Sequence, residues 1–255
     1  MVKRLIVNAD DLGRAAGINA GIARAHRAGI VTAATLMVNA PASAAAGRLA
    51  RELPGLDVGV HLALTYGRPI TDPVRIASLV DPGGAFPTTP TAFLGTGRAA
   101  ADEALIEYRA QYERARELIG RAPAHLDSHH WLHDEPALEW AIAELARETG
   151  AAVRQQSAGQ RERFQAAGLR TPDVFRRDFQ HAGQIDVAHL VAILDELGDG
   201  VTELMCHPGE PDAELAATSG YATDRAVELA TLCDPRVIAA VRESGIALAT
   251  FADCR

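Results

Sequence analysis

The chain has 255 residues, of which 48% are hydrophobic and 23% are charged, and its formal net charge is -8 at pH 7. This composition is typical of a globular protein with a substantial core and excludes a disordered chain. The acidic balance, without a cluster of lysine and arginine, excludes a nucleic-acid-binding surface, because phosphate binding requires a basic patch. Three cysteines without metal-knuckle spacing argue against a disulfide framework or a cysteine-based zinc site.

The length lies within the range of one α/β barrel, so we expect a single domain over residues 1–255. Residues 1–4 lead directly into an apolar run, without a signal-length hydrophobic segment before it. No window of the sequence is long and apolar enough to span a membrane. We therefore expect a cytoplasmic protein with no membrane span.

Strands and helices alternate along the whole sequence. Short apolar runs predict strands at 5–9, 30–38, 58–64, 124–128, 151–153, 201–206 and 246–251. Helical spacing and stop residues predict helices at 18–28, 43–53, 100–119, 136–148, 187–197, 221–232 and 235–244. This alternation predicts an α/β fold with a parallel sheet and right-handed crossovers, either closed into a barrel or left open.

Two segments, 65–98 and 155–185, show no helical period and contain many turn residues. We interpret them as loops, and the first is long enough to be typical of a binding wall. A further polar loop is expected between Gly209 and the helix at 221. Ser43 is the expected N-cap of its helix.

The first predicted strand ends in two adjacent carboxylates, Asp10 and Asp11, followed by Gly13. The carboxyl ends of parallel strands are where α/β folds place their chemistry. At this edge both carboxylates can turn into one cleft, where a cation would relieve their mutual repulsion. Alternatively, Asp11 caps the following helix and Asp10 faces water.

Histidines follow three other predicted strands. His61 lies on the third strand, His207 follows the strand at 201–206, and four histidines lie within the 125–133 cluster. If the fourth strand continues, positions 125, 127 and 129 of this cluster share a face, whereas a helical turn would bring 129 and 133 together. Taken alone, His61 would be interpreted as a packed or hydrogen-bonded core histidine, and only its position among the other strand-end groups favours a ligand. We expect His133 to be exposed at a helix start.

One carboxylate and two neutral imidazoles form a typical ligand set for a catalytic divalent ion, which leaves positions for water and a substrate oxygen. Such an ion lowers the pKa of its water toward neutrality. Asp10, beside Asp11, would take the proton from that water, and His207 would protonate the leaving group. Arg154, at a strand end, is either the cation that keeps Asp10 ionised or a surface arginine.

Four segments together resemble the YdjC-like carbohydrate deacetylase family, which includes chito-oligosaccharide deacetylases and deacetylases of hopanoid biosynthesis. They are Asn8-Ala9-Asp10-Asp11-Leu12-Gly13, Gly59-Val60-His61-Leu62, His125-Leu126-Asp127-Ser128-His129-His130 and Met205-Cys206-His207-Pro208-Gly209. The resemblance runs from residue 2 to the carboxyl terminus and is closer to the chito-oligosaccharide branch. It implies a deformed (β/α) barrel with parallel strands, related to polysaccharide deacetylases.

The resemblance also implies site residues: Asp11, His61 and His129 as metal ligands, Asp10 as the base and His207 as the acid. His125, His130 and His133 remain alternatives to His129. The cation implied by the resemblance is Mg²⁺, whereas the chemistry of the ligands suits zinc, cobalt or nickel. The resemblance suggests a homodimer.

We therefore expect a metal-dependent hydrolase that removes the acetyl group from an N-acetylated amino sugar. Trp131 could offer an aromatic face to the sugar ring, or it packs in the core. The same ligand set would also serve a hydrolase of another ester, amide or phosphate. A non-catalytic carbohydrate-binding barrel and an inert barrel with hydrogen-bonded core histidines are the remaining alternatives.

Overall fold

The computed structural model describes residues 2–97, 99–211, 215 and 219–255. Three of the expected segments fall partly outside the described residues. These are the amino-terminal segment at residue 1, the 65–98 loop at residue 98, and the polar loop after Gly209 at residues 212–214 and 216–218. Within the described part of the chain, no helix combines the length and the apolar character needed to cross a membrane.

The described strands form one sheet. In chain order they are β1 Lys3–Leu12, β2 Ala33–Leu36, β3 Asp57–Leu62, β4 His125–Ser128, β5 Ala152–Val153, β6 Val174–Arg176, β7 Gly200–Cys206 and β8 Ala247–Leu248. Their spatial order is β5-β4-β3-β2-β1-β7-β6, β8 pairs with the start of β1, and every pairing is parallel. The predicted parallel α/β fold is therefore confirmed, as a curled half-barrel with β5 and β6 at its edges.

Helices follow most strands and cover the outside of the sheet. They are α1 Ala16–Ala28, α2 Ser43–Glu52, α3 Pro90–Leu94, α4 Ala101–Ile119, α5 Pro136–Thr149, α6 Ala158–Ala166, α7 Val187–Asp195, α8 Ala222–Leu232 and α9 Pro235–Glu243. Short 3-10 turns cover Pro73–Ile76, His129–Asp134 and Phe251–Asp253. Each predicted helix is present, because amphipathic spacing over two or more turns is a strong signal.

The segments interpreted as loops contain regular elements that the sequence pattern missed. α3 and a 3-10 turn lie within 65–98, and α6 and β6 lie within 155–185. α3 and α6 are only five and nine residues long, and each is fixed by a side-chain cap, Thr89 accepting from the Ala92 N–H and Ser157 from the Gln160 N–H. Ser43 is the first residue of α2 and makes no cap, which corrects its expected role.

A bulge in β1 determines where the two adjacent carboxylates point. Ala9 pairs with Ala34 and Leu12 with Leu36, so β1 uses one more residue than β2 over this interval. Asp11 takes up the extra length with a left-handed φ of 68°. A bulge re-aims side chains that would otherwise alternate across the sheet, so Asp10 and Asp11 turn into one cleft from within a continuing strand.

Candidate active site

A cavity of about 330 Å³ opens where β1, β3, β4 and β7 end. Its walls include Asp10, Asp11, His61, His129 and His207. The bulged strand contributes both aspartates, and three other strand ends contribute the histidines. The structure thus brings five of the six predicted site residues to one cavity.

Three of these side chains face one another with their ligand atoms. The Asp11 Oδ1 atom lies 3.6 Å from His61 Nε2 and 3.3 Å from His129 Nδ1, and the two ring nitrogens are 3.3 Å apart. Ligand atoms about 2.0–2.1 Å from a tetrahedral ion lie about 3.3 Å from one another. Asp11 Oδ1 is buried and accepts no hydrogen bond of acceptable geometry from the described residues. This donor set fits a divalent cation.

The His61 ring is oriented by a buried carboxylate. Its Nδ1 atom lies 2.7 Å from Asp127 Oδ1 and 3.3 Å from the Thr35 hydroxyl, so Nε2 faces the cavity. Burial opposes a charge on the ring, but Asp127 raises the pKa of His61 to about 9. A carboxylate behind a metal-binding histidine is the usual support for such a ligand, and the ring must release its proton to bind a cation.

Asp11 is held in its charged form by an arginine on α8. Its second oxygen, Oδ2, accepts a short hydrogen bond from the buried Arg225 guanidinium, and Arg14 lies 3.4 Å away. Burial alone would raise the pKa of Asp11, but Arg225 and the neighbouring histidines hold it well below its usual value. Arg225 therefore leaves Oδ1 as the oxygen that faces the two imidazoles.

Arg154 follows the edge strand β5, is fully buried and reaches Asp10. Its two terminal nitrogens donate to the two Asp10 oxygens at 2.7 and 2.8 Å. It also contacts Glu203 Oε1 at 2.7 Å and Asp127 Oδ2 at 2.9 Å. Burial would raise the pKa of Asp10, but Arg154 lowers it to about 2. Asp10 is consequently ionised at neutral pH.

His207 follows β7, which pairs with β1 along its length, so His207 lies beside the strand that carries Asp10. Its backbone N–H donates to the buried Glu228 carboxylate, and its Nδ1 lies 3.8 Å from Glu228 Oε1. Burial lowers the pKa of His207 to about 4, so the ring is neutral near pH 7.

Two close backbone contacts make this arrangement possible. A Cβ on Gly59 would lie 2.4 Å from the His125 carbonyl oxygen, and one on Gly21 would lie 2.4 Å from Gly209 Cα. The first contact lets β3 approach the buried His125, and the second lets α1 support the turn after His207. Both positions require glycine because a Cβ atom would collide with the neighbouring backbone, and not because of a left-handed φ angle.

The chain matches the model of YdjC-like proteins over residues 4–243. It belongs to the YdjC-like family. It is 40% identical to a carbohydrate deacetylase of Geobacillus stearothermophilus over 98% of both chains. It is 36% identical to a chitooligosaccharide deacetylase of Yersinia pestis (strain Pestoides F) over 100% of both chains. These relatives confirm the prediction of a hydrolase of the deacetylase class.

A solved structure from Enterococcus faecalis V583, named for a proposed role in cellobiose-phosphate cleavage, superposes with a TM-score of 0.91. It shares 32% identity over 99% of this chain and 98% of that one. A peptidoglycan N-acetylglucosamine deacetylase superposes with a TM-score of 0.53 and 14% identity, over 97% of this chain and 85% of that one. The second likeness shows that this YdjC-like chain shares its fold with polysaccharide deacetylases.

Among the described residues, the other histidines of the 125–133 cluster do not belong to the set of three facing ligand atoms. His125 is buried, stacks on Phe251 with 3.6 Å between ring centroids and contacts the Asn8 side chain. His130 is exposed and lies 3.9 Å from the His129 ring. The expectation that His133 is exposed is wrong, because it is fully buried and bonded to Ser128 and to the Arg154 carbonyl oxygen.

Sequence reasoning missed several residues of this YdjC-like site. Arg225 and Glu228 lie on α8, where a charged residue is ordinarily assigned to the solvated face. The helical spacing could have indicated that they are buried, because both lie on the same face of the helix as the buried residues Ala222 and Leu232. Tyr221, which donates to Glu228 at 2.6 Å, precedes the same helix.

Proposed function

We propose that this protein is a metal-dependent N-deacetylase of acetylated amino sugars, with chitooligosaccharides as its substrate class. The observation that carries the proposal is the convergence of Asp11 Oδ1, His61 Nε2 and His129 Nδ1 within 3.6 Å of one another. An ionised Asp10 lies beside them in the same cavity. The names of the carbohydrate and chitooligosaccharide deacetylases among its relatives support this substrate class.

Asp11, His61 and His129 would hold the cation. When bound, a divalent ion supplies Lewis acidity toward the amide carbonyl and lowers the pKa of water. Two imidazoles and one carboxylate favour zinc or cobalt, because Mg²⁺ prefers oxygen ligands, although Mg²⁺ is the ion implied by the resemblance.

The remaining residues move the protons. Asp10, which Arg154 holds ionised, takes a proton from the attacking water as a C–O bond forms at the acetyl carbon. The C–N bond then breaks, and the departing nitrogen needs a proton to leave as an amine. His207 delivers it. Since the pKa of His207 is about 4, its ring starts neutral, so it must first take up the proton that Asp10 received from water and then pass that proton to the nitrogen, which leaves both side chains in their starting states.

The direct test is acetate release from N-acetylglucosamine and its β-1,4-linked oligomers, after chelation and re-addition of single cations. We expect acetate and a free amine from the wild-type protein, with activity restored best by zinc or cobalt. Asp11→Ala and His61→Ala should lose the stoichiometric metal and the activity while keeping the fold. His26→Ala, which alters a histidine of α1 outside the cavity, is the matched control and should keep both.

Retention of near-wild-type hydrolysis by Asp11→Ala and His61→Ala would refute the metal assignment. Release of phosphate or cleavage of the glycosidic bond, without acetate, would refute the deacetylase assignment. The homodimer and the cytoplasmic location stay predictions. Light scattering of the purified protein tests the first, and fractionation of the native cells tests the second.

A further inference from the structure

Tyr221 lines the cavity of the candidate active site from the position just before α8. Its hydroxyl connects two parts of that cavity, the wall segment 178–184 and the strand end that carries His207. We propose that Tyr221 is a positioning residue, which fixes His207 through Glu228 and makes the placement of His207 depend on the wall segment. This inference rests on the proposed function, because it concerns the residue that protonates the leaving amine.

The buried Glu228 carboxyl group of α8 is the link between Tyr221 and His207. Its Oε2 atom accepts a hydrogen bond from the His207 backbone N–H, and its Oε1 atom accepts one from the Tyr221 hydroxyl at 2.6 Å. Glu228 Oε1 also lies 3.8 Å from His207 Nδ1, a buried atom that has no hydrogen-bond partner among the described residues. Tyr221 therefore fixes the oxygen that faces the unpaired nitrogen of the His207 ring.

The Tyr221 hydroxyl also affects how readily Glu228 becomes charged. Burial raises the pKa of Glu228 to about 8, and the hydrogen bond from Tyr221 is the strongest of the contacts that oppose this rise. His207 becomes positive when it takes up a proton, and a carboxylate at this distance stabilises that charge. Loss of the Tyr221 hydroxyl should therefore make the protonated form of His207 harder to reach.

The Tyr221 ring packs against both sides of the site. Its centroid lies 5.7 Å from that of the His207 ring, in an edge arrangement, and 5.8 Å from the Arg225 guanidinium carbon. Arg225 in turn donates to Asp11. Phenylalanine at position 221 would keep these ring contacts and remove only the hydroxyl, so it separates the two contributions of this side chain.

The wall segment 178–184 depends on the same hydroxyl. Phe179 is buried, and Gln180 lines the cavity. The exposed His181 has a left-handed φ of 73°, and its backbone N–H donates to the Tyr221 hydroxyl at 2.9 Å. Residues with side chains avoid this region of φ unless their surroundings fix it. The hydrogen bond to Tyr221 thus helps to keep the segment that presents Gln180 to the cavity.

The Tyr221 hydroxyl acts through these neighbours. Burial and the adjacent Glu228 raise the pKa of Tyr221 well above its usual value, so the phenol keeps its proton and cannot serve as a base. It donates that proton to Glu228 and accepts a hydrogen bond from His181. Its two neighbours therefore already engage both its donor and an acceptor site.

Two acetyl donors with different leaving groups test the positioning role. The N-acetylglucosamine dimer loses an amine, which needs a proton, whereas 4-nitrophenyl acetate loses a phenolate, which does not. Tyr221→Phe should lower kcat for the dimer about tenfold, the effect of one hydrogen bond to a charged group, and change KM less than kcat. It should leave the hydrolysis of the ester and the bound metal content unchanged.

Two further variants complete this comparison. Tyr221→Leu also removes the ring edge against His207 and should lower kcat for the dimer further. Tyr108→Phe is the matched control, because it removes a buried hydroxyl on α4 that has no hydrogen-bond partner among the described residues. It should change the kinetics of neither substrate.

Amide hydrogen exchange, followed by NMR, reports the same link without turnover. We expect Tyr221→Phe to speed exchange of the His181 N–H, which loses its acceptor, by about tenfold. The His207 N–H should also exchange about tenfold faster, because its acceptor Glu228 loses the support of Tyr221. Tyr108→Phe should alter neither rate.

The two proposals fail in different ways. Equal losses of activity toward the amide and the ester in Tyr221→Phe would overturn the positioning role and leave the deacetylase assignment in place. Faster exchange at His181 with no change at His207 would overturn the link from the wall segment to His207. Absence of acetate release from the dimer by the wild-type protein would refute the deacetylase assignment, and faster exchange at His207 in Tyr221→Phe would still support the link.

Discussion

Replacement of Arg154 by methionine tests how much the buried ion pairs of this arginine contribute to the free energy of unfolding. The guanidinium is fully buried and contacts three buried carboxylates, Asp10, Asp127 and Glu203, at 2.7–2.9 Å. It also lies over the Phe175 ring, with 4.9 Å between the guanidinium carbon and the ring centroid. Methionine keeps much of the volume and can pack on this ring, so the substitution removes mainly the charge and its hydrogen bonds.

The expected loss of stability is large. Removal of one partner of a buried ion pair costs about 3–5 kcal/mol, because the other partner is left buried without compensation. Three carboxylates share Arg154, so we expect Arg154→Met to lose at least about 4 kcal/mol at pH 7, out of a total of about 5–15 kcal/mol for a typical domain. Asp10→Asn removes one of the three charges, and the double variant should regain about 1–2 kcal/mol.

Urea unfolding followed by circular dichroism measures these free energies by linear extrapolation. Arg114→Gln removes an exposed ion pair with Glu117 and serves as the control, with an expected loss below about 1 kcal/mol. The reasoning would be refuted if Arg154→Met unfolded within about 1 kcal/mol of the wild type at pH 7. It would also be refuted if the double variant showed no coupling with Asp10.

Three further outcomes follow from the same contacts. Asp127→Asn weakens the support of His61, so metal affinity should fall about 10–100-fold in competition with a chromogenic chelator. Asp10→Asn should lower kcat about 10²–10⁴-fold in the acetate assay while elemental analysis still finds the metal. Burial raises the pKa of Glu203 from 4.5 to about 7, so its contribution to stability is complete below pH 4.5 and is lost as the pH rises through 7. Glu203→Gln should therefore gain stability relative to the wild type between pH 5 and 8 in urea titrations, and a constant difference would contradict this pKa.

The sequence predicted the placement of residues that lie at strand ends. Each strand is a short continuous segment that the local pattern of apolar residues can predict. Because the strands pair in parallel, their carboxyl ends place Asp11, His61 and His129 at the same edge of the sheet. Arg154 could be placed for the same reason, since it follows β5 directly. The bulge at Asp10 and Asp11 could not be predicted, because it depends on the register against β2.

Residues whose role depends on distant partners were not predictable. His133 is buried because the Ser128 hydroxyl meets its Nδ1 atom and the Arg154 carbonyl oxygen, 21 residues away, accepts a hydrogen bond from its Nε2 atom. Arg225 is buried because Asp11, 214 residues earlier, neutralises it. Such pairs leave no local pattern, and an isolated charge is then assigned to the surface.

The bridging position of Arg154 has a consequence for protein engineering. The Arg154 side chain holds Asp10, the proposed base, and also ties the edge strand β5 to Glu203 of β7, so libraries that randomise the interior would select chiefly for survival of the fold. Diversity directed at α3, whose Pro90 lines the cavity of the candidate active site, leaves the Arg154 contacts intact. New sugar preferences should therefore be sought there first.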